Sequence, residues 1–415
     1  MRWKLEDTAE QAAFRDEFRR WLRENAPTGW VHALDRGDEK GFDQVRQGFN
    51  FLEWSQVIGP SGYGAPLWPR EYGGLGAEVW TLQIVREELA RYRLPLIGVN
   101  ILGIGLAGPT LIAHGTEEQK RRYLAKMLTC EEIWCQLFSE PGSGSDLASA
   151  STRARQDNGE WVISGQKVWT SIAQFAHFGM LLARSDPDKP KHEGLTYFIL
   201  PMRDPGIEIR PLRQMTGSSE FNEVFISDVR VPDSNRVGAI GQGWEVARTT
   251  LMNERVALSG IGAGTEALMG GVRNDPWLSL LEQIPNRGDR LVRQRLAQSY
   301  IEQEVKEITA FRAALVRRRG DTPGAEGAVG KVYNAEFNQR RSSLAMNAAG
   351  LGAIAWVPGD RVAESRANAF LRARANTIEG GTSEVLRNQM GERVLGLPRE
   401  PEVDKGVPWK EIRRN

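Results

Sequence analysis

The chain has 415 residues, with 54 lysines and arginines against 53 aspartates and glutamates, and two cysteines. Near-neutral charge without a long single-sign block argues against a nucleic-acid partner. Two cysteines without nearby histidines exclude a disulfide framework or a zinc set, and no apolar run is long enough to cross a bilayer. The expectation is a reduced, cytoplasmic protein of two or three domains with sizeable cores and no membrane contact.

Residues 1–128 read as a helical domain. EDTAEQAAFRDEFRRWLRENAP carries a capping box from Thr8 to Gln11, an apolar stripe of Phe14, Phe18, Trp21 and Leu22, and a stop at Pro27. Gly and Pro clusters separate further helical segments, and GTEEQKRRYLAKML, residues 115–128, is an amphipathic helix. GIGLAG, residues 103–108, spells G-x-G-x-x-G. A dinucleotide fingerprint needs a strand before it and an uninterrupted helix after it, whereas Pro109 follows at once in helical surroundings. The glycines read instead as close helix packing or as the lining of an acyl channel.

Residues 129–240 change period. EIWCQLF, GEWVISGQKVWT, FGMLLARS, LTYFILP, IEIRPL and NEVFISDVRVP, bounded by turns such as DNG and DPG, predict an antiparallel β-domain. WCQLFSEPGSGSDLAS, residues 134–149, runs an apolar strand into a Gly/Ser turn. Its glycines let backbone N–H groups approach an anion or a flat ring, and Ser139 and Ser145 offer hydroxyls; a turn capped by Asp146 is the plainer alternative. GEWVISGQKVWTS, residues 159–171, ends in Trp169, Thr170 and Ser171, an indole beside hydroxyls that suits an aromatic cofactor or a core.

From GQGWEV the helical period returns and gives a third domain at 241–400, with a tail at 401–415. Helices, strands and helices in that order make an α+β chain, mostly α, rather than a doubly wound sheet. In TLMNERVALSG, residues 250–260, Glu254 falls on the apolar face of Ala247, Leu251, Leu258 and Ile261. A carboxylate there calls for a partner, a cavity or a chemical task, because desolvating it is costly. Residues 375–400 hold Glu379, a Gly-Gly turn and an N-cap at Thr382 followed by the acidic Glu384.

Taken together, FSEPGSGSD (138–146), KVWTS (167–171), EGGTSEV (379–385) and ERVLGLP (392–398) resemble the acyl-CoA dehydrogenase family, over about residues 5 to 400. The first is similar to the family's T-E-P-x-x-G-S-D. The resemblance implies a helical domain, a middle β-domain and a C-terminal four-helix bundle. It also implies an FAD cofactor, an acyl-CoA substrate and an electron-transferring flavoprotein as acceptor. A glutamate would take the α-proton while the β-hydrogen leaves as hydride to the flavin. Carried over, Phe138 and Ser139 would contact the flavin ring, Trp169 would lie along it and Ser171 would bond near N5. Thr382 and Glu384 would meet the pyrophosphate and adenosine of FAD. Gly144, Ser145, Arg255 and Gly381 would contact acyl-CoA.

Many members carry the base immediately before G-T-S, where this chain has Gly380 with Glu379 one residue earlier. A minority branch keeps it on a helix of the C-terminal domain, just before an arginine, and Glu254-Arg255 match that placement. Glu254 is therefore the expected base and Glu379 the alternative.

Two elements that reach a neighbouring subunit's FAD in the family depart from pattern. No R-x-x-F-G occurs between Arg273 and Arg295, and AAGLGAIAW, residues 348–356, replaces a Q-x-x-G-G-x-G-like turn. Their loss implies an α2β2 assembly with a related chain in place of a homotetramer. An acyl-CoA oxidase, a flavin monooxygenase and a non-catalytic partner subunit remain alternatives. The small residues of LIGVNILGIGLAG would suit a bulky, steroid-derived acyl group or simple helix packing.

Overall fold

The structure, a computed structural model, describes residues 6–96, 100–258, 276–319, 326–355, 357 and 359–412. Helix α1 (Ala9–Asn25) begins at the reciprocal Thr8–Gln11 capping box that the spacing predicts. Its stripe buries Phe18 and Leu22 among Trp30, Trp54 and Tyr63. Helices α2 (Trp30–Asp35), α3 (Glu39–Gln47), α4 (Phe51–Ile58) and α5 (Val79–Arg91) complete this layer.

GIGLAG forms a π-helical turn (Gly103–Ala107) leading into α6 (Gly108–His114), and among the described residues no strand precedes it. Pro109 does not interrupt the helix. It sits in the first turn, where its missing N–H is no loss. A Cβ on Gly108 would run into the Trp68 ring, so close packing explains that glycine. Helix α7 (Glu117–Leu128) follows from a second capping box at Thr116. Buried Asn100 ties this layer to the next: its amide donates to Met127 O (2.9 Å) and Glu132 O (3.0 Å), and its oxygen accepts from Trp134 N (3.1 Å).

The middle of the chain is a sheet of β1 (Trp134–Leu137), β2 (Arg153–Asp157), β3 (Glu160–Ser171), β4 (Phe178–Arg184), β5 (Leu195–Pro201), β6 (Ile207–Leu212), β7 (Phe221–Pro232) and β8 (Arg236–Val237). The order is β6-β7-β3-β2-β4-β5-β8, with β1 added to β4. Most pairings are antiparallel; β1 lies parallel to β4, and β2 meets β4 in parallel at a single position.

Helices α8 (Gly243–Leu258), α9 (Pro276–Gln283), α10 (Arg290–Arg318), α11 (Glu326–Ala349), α12 (Arg361–Ala373) and α13 (Ser383–Arg393) complete the α+β fold. The long helix α10 reaches back to α1. Arg318 bonds Asp7 (2.5 Å) and Glu87 (3.0 Å), while Arg15 bonds Asp7 (2.6 Å), Glu87 (2.8 Å) and Glu88 (2.6 Å).

The hydrogen bond from Arg15 is the main reason the Asp7 carboxyl is held at about 2, below its ordinary 3.8. The unfolded chain therefore binds the proton more readily. The stabilisation is complete above about pH 4 and is lost as pH falls toward 2. Asp7→Asn should accordingly flatten the dependence of the urea midpoint on pH in that window; an unchanged slope would remove Asp7 from the acid response.

Candidate active site

Strand β1 delivers the FSEP segment to β3. Val168 N donates to Ser139 O (2.9 Å), and Lys167, fully buried, sends its ammonium to Glu140 (2.8 Å), Phe138 O (3.0 Å) and Leu182 O (2.8 Å). Glu140 also accepts from Ser151 N and Oγ and from Thr152 N. The two motifs are thus joined by one satisfied ion pair, which the sequence reading missed. A lysine in a strand reads as solvent-facing; the available signal was one opposite charge in each motif.

Directly after Lys167 the register of β3 against β7 slips, and Trp169 takes φ +60°. A left-handed conformation is rare for a bulky residue and costs energy. Here it throws the indole outward, 60% exposed, while Lys167 and Thr170 on either side stay buried. The Phe221 ring meets it edge-on at 6.0 Å. Ser171 ends the strand opposite Phe221.

Helix α8 carries Glu254. One turn before it, Thr250 belongs to a buried hydroxyl chain: Thr110 at 2.9 Å and the Tyr197 hydroxyl at 3.1 Å. Tyr197 in turn meets the Phe138 ring edge-on at 5.9 Å. These contacts fix α8 against α6 and β5. Glu254 is half-buried and accepts from Gln136 Nε2 (3.0 Å), two residues before Phe138. Arg255 follows on the helix, but its side chain lies outside the described residues.

Glu379 is held quite differently. Arg372 donates to both of its oxygens (3.1 and 2.9 Å), Asn376 Nδ2 donates to one (2.8 Å), and Arg372 also faces Glu220 (3.5 Å), beside Phe221. Gly380 and Gly381 then turn the chain at φ +62° and +91°, a path open chiefly to glycine. Buried Lys331 of α11 closes the turn by donating to Asn376 O (2.9 Å) and Gly381 O (2.6 Å). Burial lowers the pKa of its ammonium, against the pull of Glu379, Glu254 and Glu384. Lys331→Met leaves both carbonyls without this donor and should cost about 1–3 kcal/mol. A shifted denaturation midpoint that Lys331→Arg partly restores is the expected reading; an unshifted midpoint would contradict it.

Thr382 caps α13 by accepting from Val385 N (3.1 Å), and Glu384 is exposed in its first turn. Ser383, which the sequence marks only as part of EGGTSEV and its helix N-cap, has a buried Oγ without a protein partner among the described residues, as does Thr170 Oγ1. Gly142 and Gly144 face open space. An outward indole, orphaned hydroxyls and a helix N-terminus fit a flat ring with a phosphate-bearing tail.

Contacts thus tie Glu254 to β1 just before Phe138 and Ser139, set Trp169 against Phe221 next to the Glu220 that Arg372 shares with Glu379, and put Lys331 on the Gly381 carbonyl within electrostatic reach of Glu254 and Glu379. Gly144 and Ser145 stand apart, on an exposed loop held from its other side. The segment 348–356 contains a 3-10 turn (Gly350–Ala353), with Leu351 and Ile354 about four-fifths exposed. Of the region between Arg273 and Arg295, residues 273–275 lie outside the described residues.

Family models match the chain in three parts: acyl-CoA dehydrogenase N-terminal domain over residues 8–131, middle domain over 135–229 and C-terminal domain over 241–395. Acyl-CoA dehydrogenase FadE34 of Mycobacterium tuberculosis is 41% identical over 83% of this chain, which spans only 46% of that longer relative. Acyl-CoA dehydrogenase IpdE1 of Mycolicibacterium smegmatis is 37% identical over 93% of this chain and 98% of its own. Among solved structures, the steroid ACAD Tcur3481-Tcur3483 matches with a TM-score of 0.74 at 29% identity, over 96% of this chain and 100% of that one.

Proposed function

The chain belongs to the acyl-CoA dehydrogenase family of flavoprotein oxidoreductases, and from that premise we propose that it carries out FAD-dependent α,β-dehydrogenation of an acyl-CoA thioester with Glu254 as the base. The observation that carries the assignment is the contrast between the two glutamates. Glu379 would have to give up a bidentate guanidinium pair before accepting a proton, and charge-assisted bonds of that kind are the strong ones. Glu254 accepts from the Gln136 amide beside Phe138, with the Lys331 ammonium in electrostatic reach.

FAD, when bound, supplies the two-electron acceptor for the β-hydrogen. Phe138, Ser139, Trp169 and Ser171 would hold its ring, and Thr382, Ser383 and Glu384 its pyrophosphate and adenosine side. Gly144, Ser145, Arg255 and Gly381 would position the acyl-CoA. Glu254 takes the α-proton and keeps it at its carboxylate, while the apolar walls around Phe138 and Tyr197 keep water from the carbanionic centre.

A bulky, steroid-derived acyl group is the substrate class the relatives favour, and an electron-transferring flavoprotein is the acceptor that membership favours. We read the location as cytoplasmic; among the described residues no helix is long and apolar enough to cross a membrane. Leu291, Leu351, Ile354 and Leu395, each more than 70% exposed, support burial against another chain of this fold. The relative named as the pair Tcur3481-Tcur3483 favours a related chain in an α2β2 assembly over a homotetramer.

Straight, branched and sterol-linked acyl-CoAs titrated anaerobically while flavin absorbance is followed provide the test. Bleaching by the sterol-linked thioester is expected. Bleaching by none overturns the activity, and rapid reoxidation in air turns the reading to an oxidase. A chain that forms a fully flavinated homotetramer when expressed alone overturns the heteromer.

A further inference from the structure

Residues 402–412 lie beyond α13 and beyond the matched domains, and they run back onto the sheet domain. Trp409 is the anchor. Its N–H donates to Lys189 O (2.9 Å), its indole nitrogen donates to Ser149 O (3.2 Å), and its ring lies 4.7 Å beneath the Arg184 guanidinium. Arg184 itself is buried and donates to Ala150 O (3.2 Å) and Lys191 O (2.7 Å). A second fastening runs through Lys191, whose ammonium bridges Asp404 (2.6 Å) and Asp146 (3.2 Å). Pro408 pairs with Pro190, and Lys410 with Asp188 (2.5 Å).

Every one of these contacts bears on the loop at 142–149 or on the segment 184–191 that supports it. The loop needs such support. It holds two glycines with nothing near their Cβ positions, and Gly144, Ser145 and Asp146 are exposed. A glycine-rich loop that must be ordered by its ligand lowers affinity by the entropy of ordering, and one held beforehand does not.

We propose that residues 402–412 form a strap in which Trp409 and Asp404 are positioning residues that pre-order the loop at 142–149 for the CoA portion of the substrate. The inference rests on the reading that Gly144 and Ser145 contact CoA. The strap touches none of Phe138, Trp169, Glu254 or the turn at 379–382 among the interactions described, so it acts on coenzyme affinity rather than on the chemical step.

The test compares the full chain with a chain ending at Pro401 and with Trp409→Ala, Trp409→Phe and Asp404→Asn, the point variants serving where the truncation fails to fold. Hydrogen exchange over 142–149 reports the hold on the loop. Calorimetric titration with free coenzyme A reports affinity, and flavin content with kcat reports the rest of the site. Faster exchange, roughly tenfold weaker CoA binding and unchanged flavin content and kcat are expected, with Trp409→Phe recovering part. Unchanged exchange, or faster exchange with unchanged affinity, overturns the strap. If the full chain itself fails to bind coenzyme A, the assignment of the loop falls and the strap's role with it, a deficit visible before any substitution.

Discussion

Glu254→Gln should keep its fold and its flavin but bleach with acyl-CoA about 10²- to 10⁴-fold more slowly, the span expected when a positioned general base is removed. The substitution is nearly isosteric. The glutamine oxygen can still accept the 3.0 Å bond from Gln136, so α8 keeps its seat while the proton-accepting carboxylate is lost. Glu379→Gln supplies the contrast. It removes the charge that Arg372 grips with two donors, so it should loosen the Gly380-Gly381 turn and lower stability, with a bleaching rate near that of the parent. If the two variants exchange these phenotypes, the base is Glu379 and the ion pair with Arg372 must open during turnover.

The second large effect concerns Lys167. Its ammonium, fully buried, satisfies Glu140 and two main-chain carbonyls at once. Lys167→Met leaves a carboxylate buried without its countercharge and should cost about 3–5 kcal/mol. Glu140→Gln should be comparably harmful. Lys167→Met combined with Glu140→Gln should cost less than the two single changes together, because neither change then strands a charge. Additive losses would show that the pair is not coupled. Burial pushes the Glu140 carboxyl up, but Lys167 and the bonds from Ser151 and Thr152 outweigh it and hold it at about 2 against an ordinary 4.5. The Glu140 carboxylate therefore contributes its stabilisation fully above about pH 4.5 and loses it as pH falls toward 2, in the same sense as Asp7, while burial lowers the pKa of the Lys167 ammonium on the other side of the pair.

Order and type of the elements were legible from the chain because each rests on local pattern: capping boxes at Thr8 and Thr116, turn dipeptides between strands, and the return of helical period at Gly243. Helix α9 (Pro276–Gln283) falls inside the stretch read as helical from Gly243 onward, but its separate boundaries were not marked out, because it is short and flanked by Gly and Pro. The residues brought to the site were legible singly. What joins them was not, because Lys167–Glu140, Arg372–Glu379 and Lys331 with the Gly381 carbonyl are contacts between distant segments that no local period encodes. The Trp169 bulge escaped for a related reason: a strand reading assumes strict alternation, and the slip in register that turns the indole outward is decided by β7. The segment after α13 read as a tail because its anchors, Ser149 and Arg184, lie some 220 to 260 positions upstream.

The lock between α1 and α10 bears on how the chain is made. Gln11 and Arg318 are partners separated by 307 residues, and ribosomes add about 5–20 residues per second. The first helical layer therefore waits on the order of 15–60 s for its last arginine. During that interval Arg15 can already engage Glu87 and Glu88, and Arg19 can pair with Glu88 (2.7 Å), so the layer assembles early but stays open along one seam until the long helix emerges. The speed of translation from α1 to the end of α10 therefore sets how long that seam stays open.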